Sequence, residues 1–191
     1  MTDGSEERAA CVAGLRRGSR EAFERVYSAE KARIFGFLMR LSRDPHVAAD
    51  LFQNVWLKLA RSARTLREDT DVRAWLFTVA RNEYRSYCRA QLLDMSRLLV
   101  LDRELSCDGL PDGGRDAELA AVEAALATLG DPDRELLLLV CVEGIDARAA
   151  AEMLGISYAA LRQRLARARK RLSDALDTRE LPALAERSRS S

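Results

Sequence analysis

Apolar residues recur at spacings of three and four along most of this 191-residue chain, and strict alternation of apolar and polar residues is almost absent. The first spacing places side chains on one face of an α-helix, whereas alternation is typical of a half-buried β-strand. One clear stripe, which we expect to lie in a core, consists of Val47, Leu51, Val55 and Leu59, widened by Phe52 and Trp56. The pattern predicts an all-α fold.

One segment interrupts the helical pattern. From Asp94 to Asp116 the sequence "DMSRLLVLDRELSCDGLPDGGRD" holds three Gly, one Pro and several acids, which is typical of a flexible, mildly acidic linker. We therefore predict two small helical domains, preceded by a short segment and followed by a tail. The boundaries are 1–18 for the N-terminal segment, 19–93 and 117–176 for the domains, 94–116 for the linker and 177–191 for the tail.

Caps and helix breakers give approximate bounds for the helices. Ser19 is a candidate N-cap, Asp44-Pro45 forces a turn, and Pro132 suits the first turn of a helix. Glycine at position 18, 130 or 155 is expected to end the helix before it. The predicted helices cover 7–17, 19–41, 47–63, 72–92, 117–129, 132–142, 146–154 and 157–176, and the final "RSRSS" is expected to be disordered.

The composition argues against several classes of protein. Hydrophobic residues make up 48% of the chain and charged residues 32%, which is enough apolar surface for a core. No run of eighteen apolar residues occurs, and the N-terminus lacks the features of a secretion signal. We expect a cytoplasmic protein without membrane insertion.

Catalytic and metal-binding signals are also missing from the sequence. The 4 cysteines are far apart, and the single histidine, His46, has no cysteine near it. We therefore expect reduced thiols that are structural bystanders, with redox sensing as the alternative. There is no Gly-rich phosphate loop and no paired set of ligands, so we expect neither a cofactor nor an enzymatic activity.

A basic helix follows a tight turn in "MLGISYAALRQRLARARKRL", from Met153 to Leu172. The arrangement of two short helices around Gly155 is typical of a helix-turn-helix. Six basic residues and no acidic one lie between Arg162 and Arg171, although the formal net charge of the chain is only +1. A solvated surface is the alternative, but unmixed like charges on one helix favour binding to DNA. The candidate contacts are Tyr158, Arg162, Gln163, Arg164 and Arg167, while Leu161, Leu165, Ala168 and Leu172 are expected to pack inward.

A second helix also presents residues suited to nucleic acid. An aromatic ring, a hydroxyl, an amide and two guanidinium groups share one face of "VRAWLFTVARNEYRSYCRA" at steps of three and four. Such a face can stack on, hydrogen-bond to and neutralise a single strand. Its members are Trp75, Thr78, Asn82, Arg85 and Arg89, although a lone tryptophan such as Trp75 more often packs in a core.

Taken in order, four stretches of the chain resemble bacterial RNA polymerase sigma factors of the extracytoplasmic function type. They are "GSREAFERVY", "AADLFQNVWLKL", "WLFTVARNEYRSYCR" and "MLGISYAALRQRLARARKRL". The resemblance implies that residues 19–93 form region two, which binds core RNA polymerase and melts the minus-ten element of promoter DNA. It implies that residues 117–176 form region four, which reads the minus-thirty-five element, and that an anti-sigma factor controls the protein.

The resemblance also assigns roles to residues of the N-terminal domain. The family's Asp-Leu-x-Gln helix meets the polymerase clamp, which here involves Asp50, Gln53, Asn54 and Leu57. The segment 66–72 matches the loop that captures an extruded base, with Arg67, Asp69 and Thr70 as candidates to hold it.

The sequence departs from the family pattern at two places. In the loop, "LREDT" replaces the common Phe-Arg-Gly-Asp-Ser, so Glu68 brings a negative charge towards DNA. In the recognition helix, "AALRQR" lacks the usual threonine hydroxyl, while Gln163 gains an amide that can pair with adenine. These differences bear on promoter preference.

Two other functions are compatible with a basic helix-turn-helix. The first is a DNA-binding regulator whose N-terminal domain senses a signal or dimerises, and the second is a helical adaptor that binds only proteins. A regulator needs one DNA-binding module, whereas this chain carries DNA-suited faces on both sides of its linker. An adaptor predicts no salt-dependent affinity for DNA.

Overall fold

The computed structural model describes residues 3–98 and 117–187, with side chains described at 8–92 and 121–177. Every regular element in these ranges is helical, and the chain divides into two compact units, 1–109 and 110–191. The prediction of an all-α fold with two small helical domains is confirmed. Most of the predicted linker, residues 99–116, and the last four residues of the chain lie outside the described ranges.

In its described residues, unit 1 contains four α-helices, joined by turns and one loop. They are α1 (Asp3–Arg16), α2 (Arg20–Ser42), α3 (Pro45–Ser62), which leads into a 3₁₀ turn at Ala63–Thr65, and α4 (Val72–Leu98). The Ser19 hydroxyl caps α2 by accepting the Ala22 N–H at 3.1 Å, as predicted. The Asp44 carboxylate caps α3 in the same way and accepts the His46 N–H at 2.8 Å.

The end of α4 differs from the sequence-based boundary. We predicted an end near Leu92, but the helix continues to Leu98. The residues that follow Leu92 are mostly helix formers, and the strong breakers of this stretch, glycine and proline, come only from Gly109 onwards. Charged residues were therefore a poor signal for the start of the linker.

The core of unit 1 joins the apolar faces of α2, α3 and α4. Its fully buried members include Ile34, Phe37, Leu38, Val55, Leu59, Leu76 and Phe77. Trp56 is also buried and is surrounded by Phe23, Tyr27 and Phe52 at ring-centroid distances of 4.7 to 6.0 Å. Trp56 is thus the packed tryptophan of the apolar stripe.

Helix α1 is an integral part of unit 1. Val12 and Leu15 are each only 1% exposed. Where α1 approaches α2, a Cβ atom added at Gly14 would lie 2.7 Å from the Cβ of Ala22. The absence of a side chain at Gly14 therefore allows the two backbones to pack closely.

Unit 2 contains α5 (Ala117–Thr128), α6 (Asp131–Leu137), a π-helical turn at Leu138–Val142, α7 (Ala147–Leu154) and α8 (Tyr158–Arg187). The predicted helix at 132–142 is thus helical over its whole length, but its last turn is π rather than α. Helix α8 runs to Arg187 rather than ending near Leu176, so the predicted tail 177–191 is helical in its first part.

A buried arginine connects the first two helices of unit 2. The guanidinium of Arg134, which is 6% exposed, donates to the backbone oxygens of Leu126, Ala127 and Leu129 at 3.1, 3.3 and 2.6 Å. It also donates to the Asp131 carboxylate at 3.0 Å. These carbonyls belong to the end of α5, which has no further helical turn to satisfy them. Arg134 therefore fixes the angle between α5 and α6.

The predicted helix-turn-helix is present in α7 and α8. Asp146 caps α7 and accepts the Arg148 N–H at 2.9 Å. Gly155 ends α7 with a φ of 68°, a backbone angle that favours glycine. The Ser157 hydroxyl then caps α8 by accepting the Ala160 N–H at 3.1 Å.

Candidate nucleic-acid interface

Helix α8 buries one side and exposes the other. Leu161 and Ala168 are fully buried, whereas Leu165 and Leu172 are half-buried. The exposed residues include Tyr158, Ala159, Arg162, Gln163, Ala166, Arg167 and Lys170. Two alanines between long polar side chains leave room for the helix backbone to approach a groove of DNA.

The six basic residues of α8 between Arg162 and Arg171 fall into two groups. Arg164 Nε lies 3.3 Å from Asp133 Oδ1, and Arg171 Nη1 lies 2.5 Å from Asp133 Oδ2. Arg169 contacts the Cys141 thiol at 3.5 Å. Within the described ranges, the side chains of Arg162, Arg167 and Lys170 make no ion pair or hydrogen bond.

This division changes the expectation drawn from the sequence. The local sequence offers these arginines no acidic partner, but α6 brings Asp133 against two of them. Of the predicted contacts, Arg162, Gln163 and Arg167 point to solvent, whereas Arg164 is half-buried against α6. Arg164 therefore has a role in holding α8 on α6, and any contact with DNA would have to compete with Asp133.

The tip of the helix-turn-helix contains a residue that the sequence analysis missed. The guanidinium of Arg148, on α7, lies 5.6 Å from the ring centroid of Tyr158. Tyr158 is 44% exposed at the start of α8, so the cation orients the ring from one side. The signal in the sequence was an arginine two positions after the capping Asp146, in the first turn of the helix that precedes the reading helix.

In unit 1, the predicted base-capturing loop is tightly turned. The Thr70 N–H donates to the Arg67 carbonyl at 3.1 Å, and both oxygens of the Asp69 carboxylate accept from the Arg67 guanidinium at 3.0 Å. The hydrogen bond from Arg67 lowers the pKa of the Asp69 carboxyl and raises the pKa of Arg67 itself. Two of the three candidates thus hold each other on the surface, and Thr70 is half-buried beside them.

Two cavities adjoin this loop. The larger, about 530 Å³, lies between α1, α2 and the start of α4, and the smaller, about 280 Å³, lies between α1 and the loop. Arg8, Thr70 and Asp71 line both. The floor of the larger cavity includes Glu30, whose pKa is raised by burial and lowered to a lesser degree by Arg73, 3.7 Å away.

The face predicted on α4 is only partly exposed. Asn82, Arg85 and Arg89 are exposed, and the Arg89 guanidinium donates to the Ser86 hydroxyl at 2.9 Å. The Thr78 hydroxyl is half-buried and donates to the Ala74 carbonyl of its own helix at 2.8 Å. Trp75 is half-buried, so it is neither a full core residue nor a freely exposed ring. The exposed part of this face is its C-terminal half.

The candidates for polymerase binding share the outer face of α3. Asp50, Gln53 and Asn54 are exposed, and Leu57 is 51% exposed despite its apolar side chain. Val55, Trp56 and Leu59 bury the opposite side of the same helix in the core. The outer face therefore combines hydrogen-bonding groups with one exposed apolar side chain, and protein interfaces contain both kinds of contact.

No helix among the described residues is both long enough and apolar enough to cross a bilayer. In the same ranges, no group of three or more histidine, cysteine or acidic side chains is arranged to hold a metal ion.

Comparison with known proteins agrees with the division into two units. The family model described as Sigma-70 region 2 matches residues 26–92, and the model described as Sigma-70, region 4 matches residues 119–172. These two ranges contain the loop, the exposed part of α4 and the outer face of α3 in unit 1, and the helix-turn-helix in unit 2.

Two RNA polymerase sigma factors are similar to this chain over most of their own length. RNA polymerase sigma factor CarQ of Myxococcus xanthus is 30% identical over 167 residues, which cover 87% of this chain and 96% of CarQ. ECF RNA polymerase sigma factor SigM of Bacillus subtilis is 26% identical over 150 residues, which cover 78% of this chain and 91% of SigM.

A solved structure has the same fold. The sigma factor RpoE from Bartonella quintana, crystallised with the anti-sigma factor NepR, has a TM-score of 0.65 and 24% identity, over 93% of this chain and 98% of RpoE. Three findings therefore agree: both regions are matched in the right order, CarQ is similar over almost its whole length, and the fold is that of a sigma factor. This chain belongs to the sigma-70 family of bacterial RNA polymerase sigma factors and, within that family, to the extracytoplasmic function type.

Proposed function

We propose that this chain binds core RNA polymerase and directs it to specific promoters, with the work divided between its two units. Residues 19–93 bind the polymerase and open the minus-ten element, residues 117–176 read the minus-thirty-five element, and residues 94–116 connect them. The observation that carries the proposal is the presence of a separate DNA-suited surface on each unit, namely the exposed side of α8 and the surface formed by the loop and α4.

In unit 2, duplex reading rests on the free groups of α8. Arg162, Gln163 and Arg167 project from the exposed side, where guanidinium and amide groups can pair with base edges or phosphates. Tyr158, oriented by Arg148, lies at the N-terminal end of the helix, which enters the groove most deeply in proteins of this type. Arg164 supports the site by fixing α8 on α6 through Asp133.

In unit 1, strand opening rests on the loop and α4. We assign Arg67, Asp69 and Thr70 to the pocket for an extruded base, and Asn82, Arg85 and Arg89 to the path of the separated strand. Trp75 and Thr78, which are half-buried, lie at the end of that path nearest the loop. The outer face of α3, formed by Asp50, Gln53, Asn54 and Leu57, is assigned to the polymerase.

The proposal includes an anti-sigma partner, in keeping with the complex in which Bartonella quintana RpoE was crystallised. It includes no catalytic activity for the chain itself, because the polymerase performs the chemistry. Since the protein acts on chromosomal promoters, the proposal places it in the cytoplasm.

Run-off transcription tests the proposal directly. Purified core polymerase with this chain is expected to initiate at a subset of a promoter library, and core polymerase alone is not. Replacing Arg162 or Gln163 by alanine should change the preferred bases of the upstream element, at a cost of roughly 1–3 kcal/mol for each lost base contact. Arg169→Ala is the matched control, because Arg169 is an exposed arginine of the same helix that is not among the candidate contacts, and it should leave the preferred bases unchanged.

Two results would contradict the proposal. The first is a failure to initiate at any promoter, despite folded protein and active polymerase. The second is tight, sequence-specific binding of promoter DNA by the chain without polymerase, which would favour a conventional helix-turn-helix regulator.

A further inference from the structure

Helix α1 ends at Arg16 and lies entirely outside the matched family region, which starts at residue 26, yet it contacts the loop assigned to base capture. We propose that α1 is a charge-compensating part of the strand-opening site, with Arg16 as its principal residue and Arg8 as a second. In this proposal, Arg16 cancels the negative charge that Glu68 would otherwise present to the DNA strand. The inference rests on the proposed function of the loop.

The charges of the loop require compensation. Between Leu66 and Val72 the sequence holds Arg67 and three acids, Glu68, Asp69 and Asp71. Arg67 pairs with Asp69 at 3.0 Å, so Glu68 and Asp71 remain as the unmatched negative charges within the loop. A single strand carries a phosphate on every nucleotide, and two uncompensated carboxylates in this loop would repel it.

Helix α1 supplies a guanidinium to each of these acids. Arg16 Nη1 lies 2.6 Å from Glu68 Oε1, and Arg8 Nη1 lies 3.8 Å from Asp71 Oδ2. With these two arginines the loop is electrically balanced. Arg8 also lines both cavities beside the loop, so α1 forms a wall of the space that a nucleotide would enter.

The position of the two arginines is fixed by the core. Val12 and Leu15 anchor α1, and Gly14 allows it to approach α2 closely. The Arg16 side chain is 37% exposed, whereas that of Glu68 is 87% exposed. Arg16 is therefore the more buried partner of the pair, and we expect it to position the more exposed Glu68 side chain rather than the reverse.

A contribution to stability does not account for this arrangement. Exposed ion pairs contribute little to folding, and 52 positions of the chain separate Arg16 from Glu68. The effect of the pair on a bound strand is expected to be larger, because a phosphate that contacts the loop lies within the screening length of about 8 Å at physiological salt. The pair is thus expected to affect DNA opening much more than folding.

The test uses holoenzyme assembled from core polymerase and the full chain. Open complex is measured by the permanganate reactivity of unpaired thymines in the minus-ten element, over a range of salt concentrations. The variants are R16Q, E68Q and the double variant, with R20Q as the matched control. Arg20 is an exposed arginine that pairs with Glu24 on its own helix at 2.7 Å, away from the loop.

Charge compensation predicts a specific pattern. R16Q should reduce open complex by roughly threefold to tenfold at low salt, and less at high salt, because an exposed carboxylate is left uncompensated. E68Q should open promoters at least as well as the unmodified chain, and the double variant should match E68Q. R20Q should behave as the unmodified chain.

Three outcomes would overturn the inference. R16Q could open promoters normally, E68Q could be as defective as R16Q, or removing Glu68 could fail to rescue R16Q. The second outcome would indicate that the pair only positions the loop. If the unmodified chain itself gives no open complex, the proposed function fails instead, so the two failures are distinguishable.

Discussion

Replacing Arg134 by methionine should selectively destabilise unit 2. Methionine retains most of the buried aliphatic volume, so the substitution mainly removes the guanidinium and its four hydrogen bonds, made to Leu126, Ala127, Leu129 and Asp131. The effect is therefore expected to come from the end of α5, whose carbonyls lose their buried donor.

The size of the effect follows from what each acceptor can do afterwards. The Leu126 carbonyl still accepts the Leu129 N–H at 3.2 Å, and the Asp131 carboxylate, 62% exposed, can turn to water. The Leu129 carbonyl loses its 2.6 Å contact inside the unit. Hydrogen bonds from a charged group contribute about 1.5–3 kcal/mol each, and relief from burying the charge offsets part of the loss. We expect the free energy of unfolding of unit 2 to fall by about 2–4 kcal/mol.

Thermal unfolding of the full chain can resolve this change. For a unit of this size, each kcal/mol shifts the melting temperature by about 4–8 °C, so a loss of about 2–4 kcal/mol should lower the transition of unit 2 by roughly 8–32 °C. Both tryptophans, Trp56 and Trp75, belong to unit 1. Far-UV circular dichroism should therefore show an early loss of helix, while the tryptophan fluorescence transition stays in place.

Two further variants make the result specific. Arg134→Lys keeps the charge but lacks the planar fork that serves several carbonyls, and it should lose about half as much stability. Arg162→Met removes an exposed arginine and should change stability by less than about 0.5 kcal/mol. Our account of unit 2 would be wrong if the free energy of unfolding of Arg134→Met lay within about 0.5 kcal/mol of that of the unmodified chain, because surface substitutions have effects of that size.

Three other predictions concern unit 1. Gly14→Ala should lower the stability of unit 1 by about 1–2 kcal/mol in urea unfolding, because the new methyl group meets the Cβ of Ala22 at 2.7 Å. Gly36→Ala is the control: its new methyl group faces only the flexible end of an arginine, so it should be neutral or raise stability by up to about 1 kcal/mol. Equal effects of the two substitutions would refute the packing argument. Leu57→Asp should weaken binding to core polymerase at least tenfold, or about 1.4 kcal/mol, without lowering the melting temperature, and unchanged affinity in a pull-down titration would exclude this face. Burial raises the pKa of Glu30, so the folded state holds its proton more tightly, and the free energy of unfolding should fall as pH rises from the ordinary carboxyl value of about 4.3 through the raised folded pKa. A Glu30→Gln variant should lack this part of the pH dependence, and an identical profile would contradict the assignment.

The sequence predicted the fold more completely than the site. Helical periodicity, the Ser19 cap, the turn at Asp44-Pro45 and the helix-turn-helix around Gly155 were all visible, and the structure confirms them. The predicted ends of α4 and α8 were wrong: no glycine or proline follows Leu92 before Gly109, and α8 continues through Pro182.

The sequence also identified which helices carry the candidate sites, but not what each side chain does there. Arg164 and Arg167 look equivalent in the sequence, yet one is paired with Asp133 and the other projects into solvent. In the sequence, Glu68 brings an uncompensated negative charge to the loop, whereas in the structure Arg16 lies beside it and pairs with it.

The physical reason for this difference is the range of the interactions. Periodicity, caps and turns depend on residues within about four positions of one another, so the sequence by itself predicted an all-α fold, a basic helix and a candidate DNA-binding face on α4. Asp133 meets Arg164 from 31 positions away, and Arg16 meets Glu68 from 52. Only the tertiary structure, which packs α6 on α8 and α1 beside the loop, decided which charges remain free to bind DNA.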